Sequence, residues 1–217
     1  MRDQPPDWPA DMRLNAAGVV LAGGRARRMG SDKSLVTLAG QPLVSLVVER
    51  LRPQVEELVI SANGDPGRFS FLGIDVVTDS IGGFAGPLAG ILTGLQWARN
   101  RGFSHMISVA TDTPFFPQDL VMRLRDTGDG DAIHVARSGG RPHPVFSLWP
   151  VSAIDPVLAF LQSGEKTSVL RLIETRPHRY VDFALLDTGG GKIDPFFNIN
   201  TPDDLETAER IMAGFQP

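Results

Sequence analysis

The stretch Gly18-Val-Val-Leu-Ala-Gly-Gly-Arg-Ala-Arg-Arg-Met-Gly-Ser-Asp-Lys33 decides how the rest of this chain is read. Three apolar residues, Val19, Val20 and Leu21, run into a loop that opens on a glycine pair and carries the cations Arg25, Arg27, Arg28 and Lys33. Glycine lets backbone N–H groups approach a ligand closely, because no Cβ stands in the way. Successive amides of this kind form an anion-binding concavity, and guanidinium and ammonium groups strengthen it. The expected ligand is therefore a nucleoside triphosphate held at the mouth of a β-sheet. The P-loop pattern is absent, since Lys33 does not directly follow Gly30, and residues 18–30 lack the G-x-G-x-x-G spacing. The competing reading, a solvated arginine-rich loop, leaves a glycine pair directly after a buried strand without a purpose.

Outward from that loop, β-branched apolar runs alternate with helical patterns, the mark of βαβ units and a mostly parallel sheet. Strands are expected at about 17–21, 57–63, 75–79 and 105–112, the last the most apolar and hence central. A strand pair is expected at 131–136 and 145–148, and a further strand near 180–183. Helices are expected from Pro42 to Leu51, with Pro53 stopping the first, from Pro87 to Arg99 with a stop at Gly102, and from Pro117 to Arg125. Others fall near 151–161 and 167–174. The last starts at Thr201-Pro-Asp-Asp204, where Thr201 caps and Pro202 enters the first turn.

The chain has 217 residues, 42% hydrophobic, with no cysteine and a formal net charge of −4. That length suits one large domain. Without cysteine there is no disulfide framework, thiolate metal site or thiol nucleophile. The acidic balance argues against a general nucleic-acid binder and makes any basic function local. No apolar run approaches the roughly 18 residues of a membrane span. Residues 1–15 carry acids, three prolines and no apolar centre, so they read as a flexible extension rather than a signal peptide. A cytoplasmic, monomeric protein is expected.

Ligands of open α/β sheets bind at the carboxyl ends of the strands. The noteworthy polar residues fall there: Asn63 after the second strand, Asp79 after the third and Asp112 after the fourth. Asp112 ends a very apolar strand and needs a partner; Mg²⁺, which takes few protein carboxylates and completes its shell with water and phosphate oxygens, is favoured over a helix cap. Asp79 could bind a sugar hydroxyl, assist the metal or hold the glycine-rich loop that follows. Asn63 could read a base edge or simply form an Asn-Gly turn. Gly86-Pro-Leu-Ala-Gly90 could be a helix entry or could offer helix N-terminal amides to a ligand. His105, His134, His143 and His178 lack metal-ligand spacing and read as structural, with His143 also able to face a second substrate. Asn198 and Asn200 alternate about Ile199 and on an extended segment would share one face. No Ser-His-Asp or Cys-His arrangement is apparent. Cations, amides and one metal-binding acid suit nucleotidyl transfer, in which positioning and charge neutralisation carry the catalysis.

Leu21-Ala-Gly-Gly-(x)3-Arg28-Met-Gly-(x)2-Lys33 resembles the loop of molybdenum cofactor guanylyltransferases, the MobA family. The similarity continues through Gly86-Pro-Leu-Ala-Gly90, Ala110-Thr-Asp-Thr-Pro114, His143-Pro144 and Phe197-Asn-Ile-Asn-Thr-Pro-Asp-Asp204, in order and over nearly everything after the extension. The resemblance implies a three-layer α/β/α, Rossmann-like fold of the nucleotide-diphospho-sugar transferase type. It implies transfer of GMP from GTP to molybdenum-molybdopterin, giving the guanine dinucleotide cofactor and pyrophosphate. Carried over by position, Leu21, Ala22 and Gly23 would line guanine and ribose, with Gly24, Pro87 and Leu88 completing the GTP contacts. Arg28 and Lys33 would hold the triphosphate, Asn63 and Asp79 the nucleoside, and Asp112 the Mg²⁺; Arg28, Lys33 and Asp112 are the catalytic set. His143, Asn198 and Asn200 would face the acceptor. Residues 16–115 would form the nucleotide-binding half of one domain and 116–217 the acceptor half. Arg25, Ala26 and Arg27 take no fixed role. Transient contact with cofactor-insertion proteins or apoenzymes would follow.

Three rivals differ on particular residues. The cytidylyl-transferring sister enzymes usually read Leu-Ala-Ala-Gly, whereas Gly23 removes a methyl beside the base and leaves room for a purine. Sugar-phosphate nucleotidyltransferases continue the loop with an arginine-threonine-arginine-leucine run that is missing here. A non-catalytic nucleotide-binding or cofactor-handover protein would have no need of Lys33 and Asp112.

Overall fold

The structure, a computed structural model, describes residues 15–23, 33–79, 86–125, 130–163, 168–188 and 191–214. The chain opens with β1, Ala16–Leu21, buried along its whole length. A 3-10 turn, Lys33–Leu35, precedes a small hairpin of β2, Thr37–Leu38, and β3, Gln41–Pro42, and then α1, Leu43–Leu51. Next come β4, Glu57–Ser61, β5, Val76–Val77, α2, Pro87–Asn100, and β6, His105–Ala110. The second half contains α3, Leu120–Arg125, β7, Ile133–Ser138, β8, Arg141–Pro150, α4, Ile154–Gln162, and α5, Val169–Glu174. It closes with β9, His178–Phe183, a hairpin of β10, Leu186–Asp187, and β11, Lys192–Ile193, and finally α6, Pro202–Gly214. No helix among the described residues is long and apolar enough to cross a membrane.

Seven strands form one sheet in the order β5-β4-β1-β6-β8-β7-β9, parallel except for β8. Alternate residues of β1 supply two cores. Ala16 and Val20 meet α1 and α3 on one face, while Ala17, Val19 and Leu21 meet α2, α4 and α5 on the other. This is the expected three-layer arrangement, with β6 in the middle of the sheet. A third apolar cluster joins α6 to the β2–β3 hairpin through Leu38, Leu43, Phe115, Ile199, Ala208 and Ile211.

Helix α2 sits unusually close to the sheet. A Cβ built on Gly94 would lie 2.7 Å from Met106 Sδ and 3.0 Å from Val19 Cβ, and one on Gly90 would lie 2.9 Å from both Leu21 Cδ2 and Ser61 Oγ. The flat glycine stripe lets the helix start beside the strand tips. Its N-cap, Gly86, has φ +126°, a conformation that side chains resist.

Some expected boundaries move, for physical reasons. Pro42 is the N-cap of α1 rather than its first residue, because it pairs with Thr37 in extended conformation. α3 begins at Leu120, not Pro117; a buried Gln54 from the other half caps it, accepting from the Val121 N–H at 3.0 Å. β8 is far longer than expected. Gly139 and Gly140, with φ of +54° and +78°, make a two-residue hairpin turn that sets Ser138 opposite Arg141, so the polar segment before Pro144 belongs to the strand. The last helix starts as expected: the Asp204 N–H donates to Thr201 Oγ1 at 3.2 Å, and the Asp204 carboxylate accepts from the Thr201 N–H at 2.9 Å. Residues 1–14 of the expected extension and the start of the 167–174 helix lie outside the described residues.

The α2 stripe yields a stability prediction. Overpacking costs about 1–3 kcal/mol, and the better helix propensity of alanine offsets about 1 kcal/mol of it. Gly94→Ala is expected to lower the unfolding free energy by about 1 kcal/mol, read from urea titration. A variant as stable as the parent would show that the seat of α2 has slack.

Candidate active site

The strand order reverses between β1 and β6: from β1 the chain builds outward to β4 and β5, then returns to β6 on β1's other side. Such a reversal leaves a crevice beyond the carboxyl ends of the two strands. The glycine-rich loop leaves β1 there and Asp112 follows β6 there. Main-chain bonds fix the floor. The Ala22 N–H donates to Ser61 O at 2.9 Å and the Thr111 N–H to Leu21 O at 3.4 Å. Leu21 and Ala22 are buried and Gly23 is exposed, and a Cβ added to Gly23 would meet no atom of the described residues within 4 Å. Among the described residues, neither packing nor a positive φ requires glycine at this position.

On one flank, Asn63 and Asp79 are brought together at the tips of β4 and β5. Asn63 Nδ2 donates to Asp79 Oδ2 at 2.6 Å, and the Asp79 N–H donates back to Asn63 Oδ1 at 3.2 Å. The pair closes the gap left where the short β5 ends, and Asp79 Oδ1 has no partner among the described residues. Gly64, with φ +89°, makes the turn expected after Asn63, so Asn63 takes part in both a turn and a side-chain contact. Pro87 and Leu88 form the first turn of α2 next to this flank, Pro87 exposed and Leu88 buried.

On the other flank, the half-buried Asp112 is tied to the segment that carries the two asparagines. Thr113 Oγ1 lies 3.1 Å from Asp112 Oδ1 and 2.5 Å from Asn198 Oδ1, and the Ile199 N–H donates to Asp112 O at 2.8 Å. Asn198 and Asn200 are exposed on either side of the buried Ile199. Gly24, Arg28 and the side chain of Lys33 lie outside the described residues.

The same segment runs from Asp112 back to His143. Ser138 Oγ donates to Asp194 Oδ1 at 2.6 Å, the Phe196 N–H donates to that oxygen at 2.8 Å, and His143 Nε2 lies 2.7 Å from Ser138 Oγ and 3.5 Å from Asp194 Oδ2. The imidazole stacks on Phe196 at a centroid distance of 4.5 Å. The fold thus assembles Ser138, His143 and Asp194 at the carboxyl edge, a grouping not apparent in the sequence. It is not a nucleophilic triad. The serine is buried and its proton goes to the carboxylate, whereas a nucleophilic serine gives its proton to histidine. Ser138 and Asp194 were missed, although Gly-Gly between two extended runs is a hairpin signal that puts Ser138 beside the strand bearing His143.

One carboxylate at a strand end sets the terms for a cation. Among the described residues no three His, Cys, Asp or Glu side chains group as a metal site. Asp112 therefore fits an ion that draws most of its oxygens from phosphate and water.

Burial pushes the His143 pKa below 6.5, helped by Arg141 and opposed by Asp194. As pH falls below 6.5, the unfolded chain takes up a proton that the folded site still refuses, so stability is lost in that direction. Urea titrations between about pH 7.5 and 5.5 are expected to show this slope reduced in His143→Gln; an identical slope in the variant would remove His143 as its source.

Comparison with known proteins gives the family. A molybdenum cofactor guanylyltransferase from Mesorhizobium japonicum is 47% identical over 205 residues, covering 93% of this chain and 98% of its own length. One from Rhizobium meliloti is 44% identical, covering 88% and 89%. The crystal structure of molybdopterin-guanine dinucleotide biosynthesis protein A from Archaeoglobus fulgidus superimposes with a TM-score of 0.70 at 27% identity, over 91% of this chain and 98% of that one. A 4-diphosphocytidyl-2C-methyl-D-erythritol synthase from Anaerococcus prevotii, 12% identical with a TM-score of 0.71 over 94% and 97% of the two chains, shares the fold alone. With the MobA-like NTP transferase domain model matching residues 18–180, the reversal crevice and its loop have one reading: this chain belongs to that family and is a nucleotidyltransferase.

Proposed function

We propose that this enzyme transfers GMP from GTP to molybdenum-molybdopterin, forming the guanine dinucleotide cofactor and pyrophosphate. The carrying observation is Gly23 at the mouth of the reversal crevice, where a Cβ would meet no atom of the described residues within 4 Å. Leu21, Ala22 and Gly23 line guanine and ribose, and Asp79, held by Asn63, accepts from a sugar hydroxyl. Gly24, Pro87 and Leu88 complete the GTP contacts, with Arg28 and Lys33 as the cations for the triphosphate. Residues 16–115 serve the nucleotide and 116–217 the acceptor, through His143, Asn198 and Asn200.

The acceptor's terminal phosphate monoester has a second pKa of about 6 and is mostly ionised at neutral pH, so attack needs no general base. Its oxygen forms the new bond to the α-phosphorus of GTP, and the α–β bridging P–O bond breaks, with the electron pair leaving on pyrophosphate. Arg28 and Lys33 hold the departing charge. Mg²⁺ at Asp112, when bound, supplies charge neutralisation at the α-phosphate.

Pyrophosphate release with molybdenum-molybdopterin, Mg²⁺ and either GTP or CTP is expected to favour GTP strongly. A preference for CTP would instead assign cytidylyl transfer, and no release with either would assign a binding protein. Asp112→Asn is expected to lower kcat by about 10²-fold or more with folding intact. Gly23→Ala is expected to change stability by less than about 0.5 kcal/mol while raising the KM for GTP about tenfold. An unchanged KM would separate Gly23 from the base.

A further inference from the structure

The cluster around His143 contains two short contacts and one hydroxyl proton to serve them. Ser138 Oγ lies 2.6 Å from Asp194 Oδ1 and 2.7 Å from His143 Nε2. The proton belongs to the contact with the carboxylate, where a charge-assisted bond is stronger. A second proton must then lie between Oγ and Nε2, or two lone pairs would face each other. Imidazole supplies it, because Asp194 Oδ1 already accepts from both Ser138 and the Phe196 N–H. Asp194 Oδ2, 3.5 Å from Nε2, favours the same proton position. Stacking on Phe196 holds the ring plane, and only 11% of the side chain is exposed.

We propose that Ser138 and Asp194 are positioning residues that lock His143 as its Nε2–H tautomer, leaving Nδ1 as a lone-pair acceptor for an N–H donor on the pterin ring of the acceptor substrate. This rests on the reading above that His143 faces the acceptor. A pterin carries N–H donors on its amino-pyrimidinone edge, and a neutral imidazole with a fixed lone pair discriminates them from a carbonyl edge. Burial holds the ring neutral by lowering its pKa, although Asp194 pulls the other way. Nδ1 has no partner among the described residues. The tautomer is set by the partner on the opposite nitrogen, as in other histidines whose one nitrogen is committed to the protein.

The tautomer can be read without substrate. In full-length protein with ¹⁵N-labelled histidine at neutral pH, His143 is expected to show a protonated Nε2 and an unprotonated Nδ1. Asp194→Asn sets an amide N–H against Nε2 and is expected to move the proton to Nδ1. Steady-state kinetics with molybdenum-molybdopterin and GTP then give the second readout. Asp194→Asn and Ser138→Ala are each expected to raise the acceptor KM about tenfold while leaving the KM for GTP unchanged. The asparagine variant keeps an acceptor for the Phe196 N–H, so it serves if the alanine variant folds poorly. A wild-type protein with the proton on Nδ1, or variants that alter both KM values equally, would overturn the positioning role. A wild-type protein with the expected tautomer but no GTP-dependent pyrophosphate release would overturn the GMP-transfer reading, and with it the pterin as the donor.

Discussion

Everything in this molecule hangs from β1. It is hydrogen-bonded in parallel to β4 on one side and β6 on the other, and all six of its residues are buried. A strand so enclosed has no freedom to slip, because a shift of one residue would turn Val19 and Val20 into the wrong cores. Its carboxyl end is therefore a fixed point. Leu21 O is held by Thr111 and Ala22 by Ser61, so the glycine-rich loop departs from a defined position between the tips of β4 and β6. α2 is referred to the same point, since Gly90 and Gly94 seat it against Leu21 and Val19. Loop, helix entry and strand-end acid are held close by one buried strand rather than by contacts among themselves.

The acceptor flank is organised differently. No strand spans from His143 to Asp112; the stretch from Asp194 to Ile199 does. Asp194 anchors one end through Ser138 and His143, Phe196 packs its ring into the core against Phe146 and Phe183, and Ile199 fastens the other end to Asp112 O. Between the anchors, Asn198 meets Thr113, whose hydroxyl also lies by the Asp112 carboxylate. His143 and Asp112 are thus joined through six covalently linked residues. Charge has the same division of labour. The chain is acidic overall, while Arg25, Arg27, Arg28 and Lys33 are concentrated in the loop after β1.

What could be read from sequence was whatever depends on local pattern. β1 and β6 were legible because continuous apolar runs can only be buried strands of this length, and α6 because Thr201, Pro202 and Asp204 act on one another within a single turn. Asn63, Asp79 and Asp112 could be placed at strand ends because each closes an apolar run with a polar residue. Errors arose wherever a distant residue does the work. Gln54 caps α3 from 67 positions away, which leaves Pro117 outside the helix it was expected to start. β8 reaches back through Arg141 and His143 because β7 offers it a ladder; the polarity of those residues reflects their place at the site and not a loop. Ser138 and Asp194 are 56 positions apart and neither lies in a motif, so their shared oxygen contact exists only in three dimensions.

The Ser138–His143–Asp194 cluster also shows why residue identity underdetermines chemistry. The three side chains match a hydrolase in kind, but proton direction separates the two. A nucleophilic serine must lose its proton to imidazole; here the carboxylate takes that bond, and imidazole becomes the donor. Burial of the hydroxyl then removes it from any substrate. Such an arrangement is inert as a nucleophile and well suited to recognition, because its donors are all spent on the protein. Nucleotidyl transfer to an already ionised phosphate asks for nothing more reactive on the acceptor side.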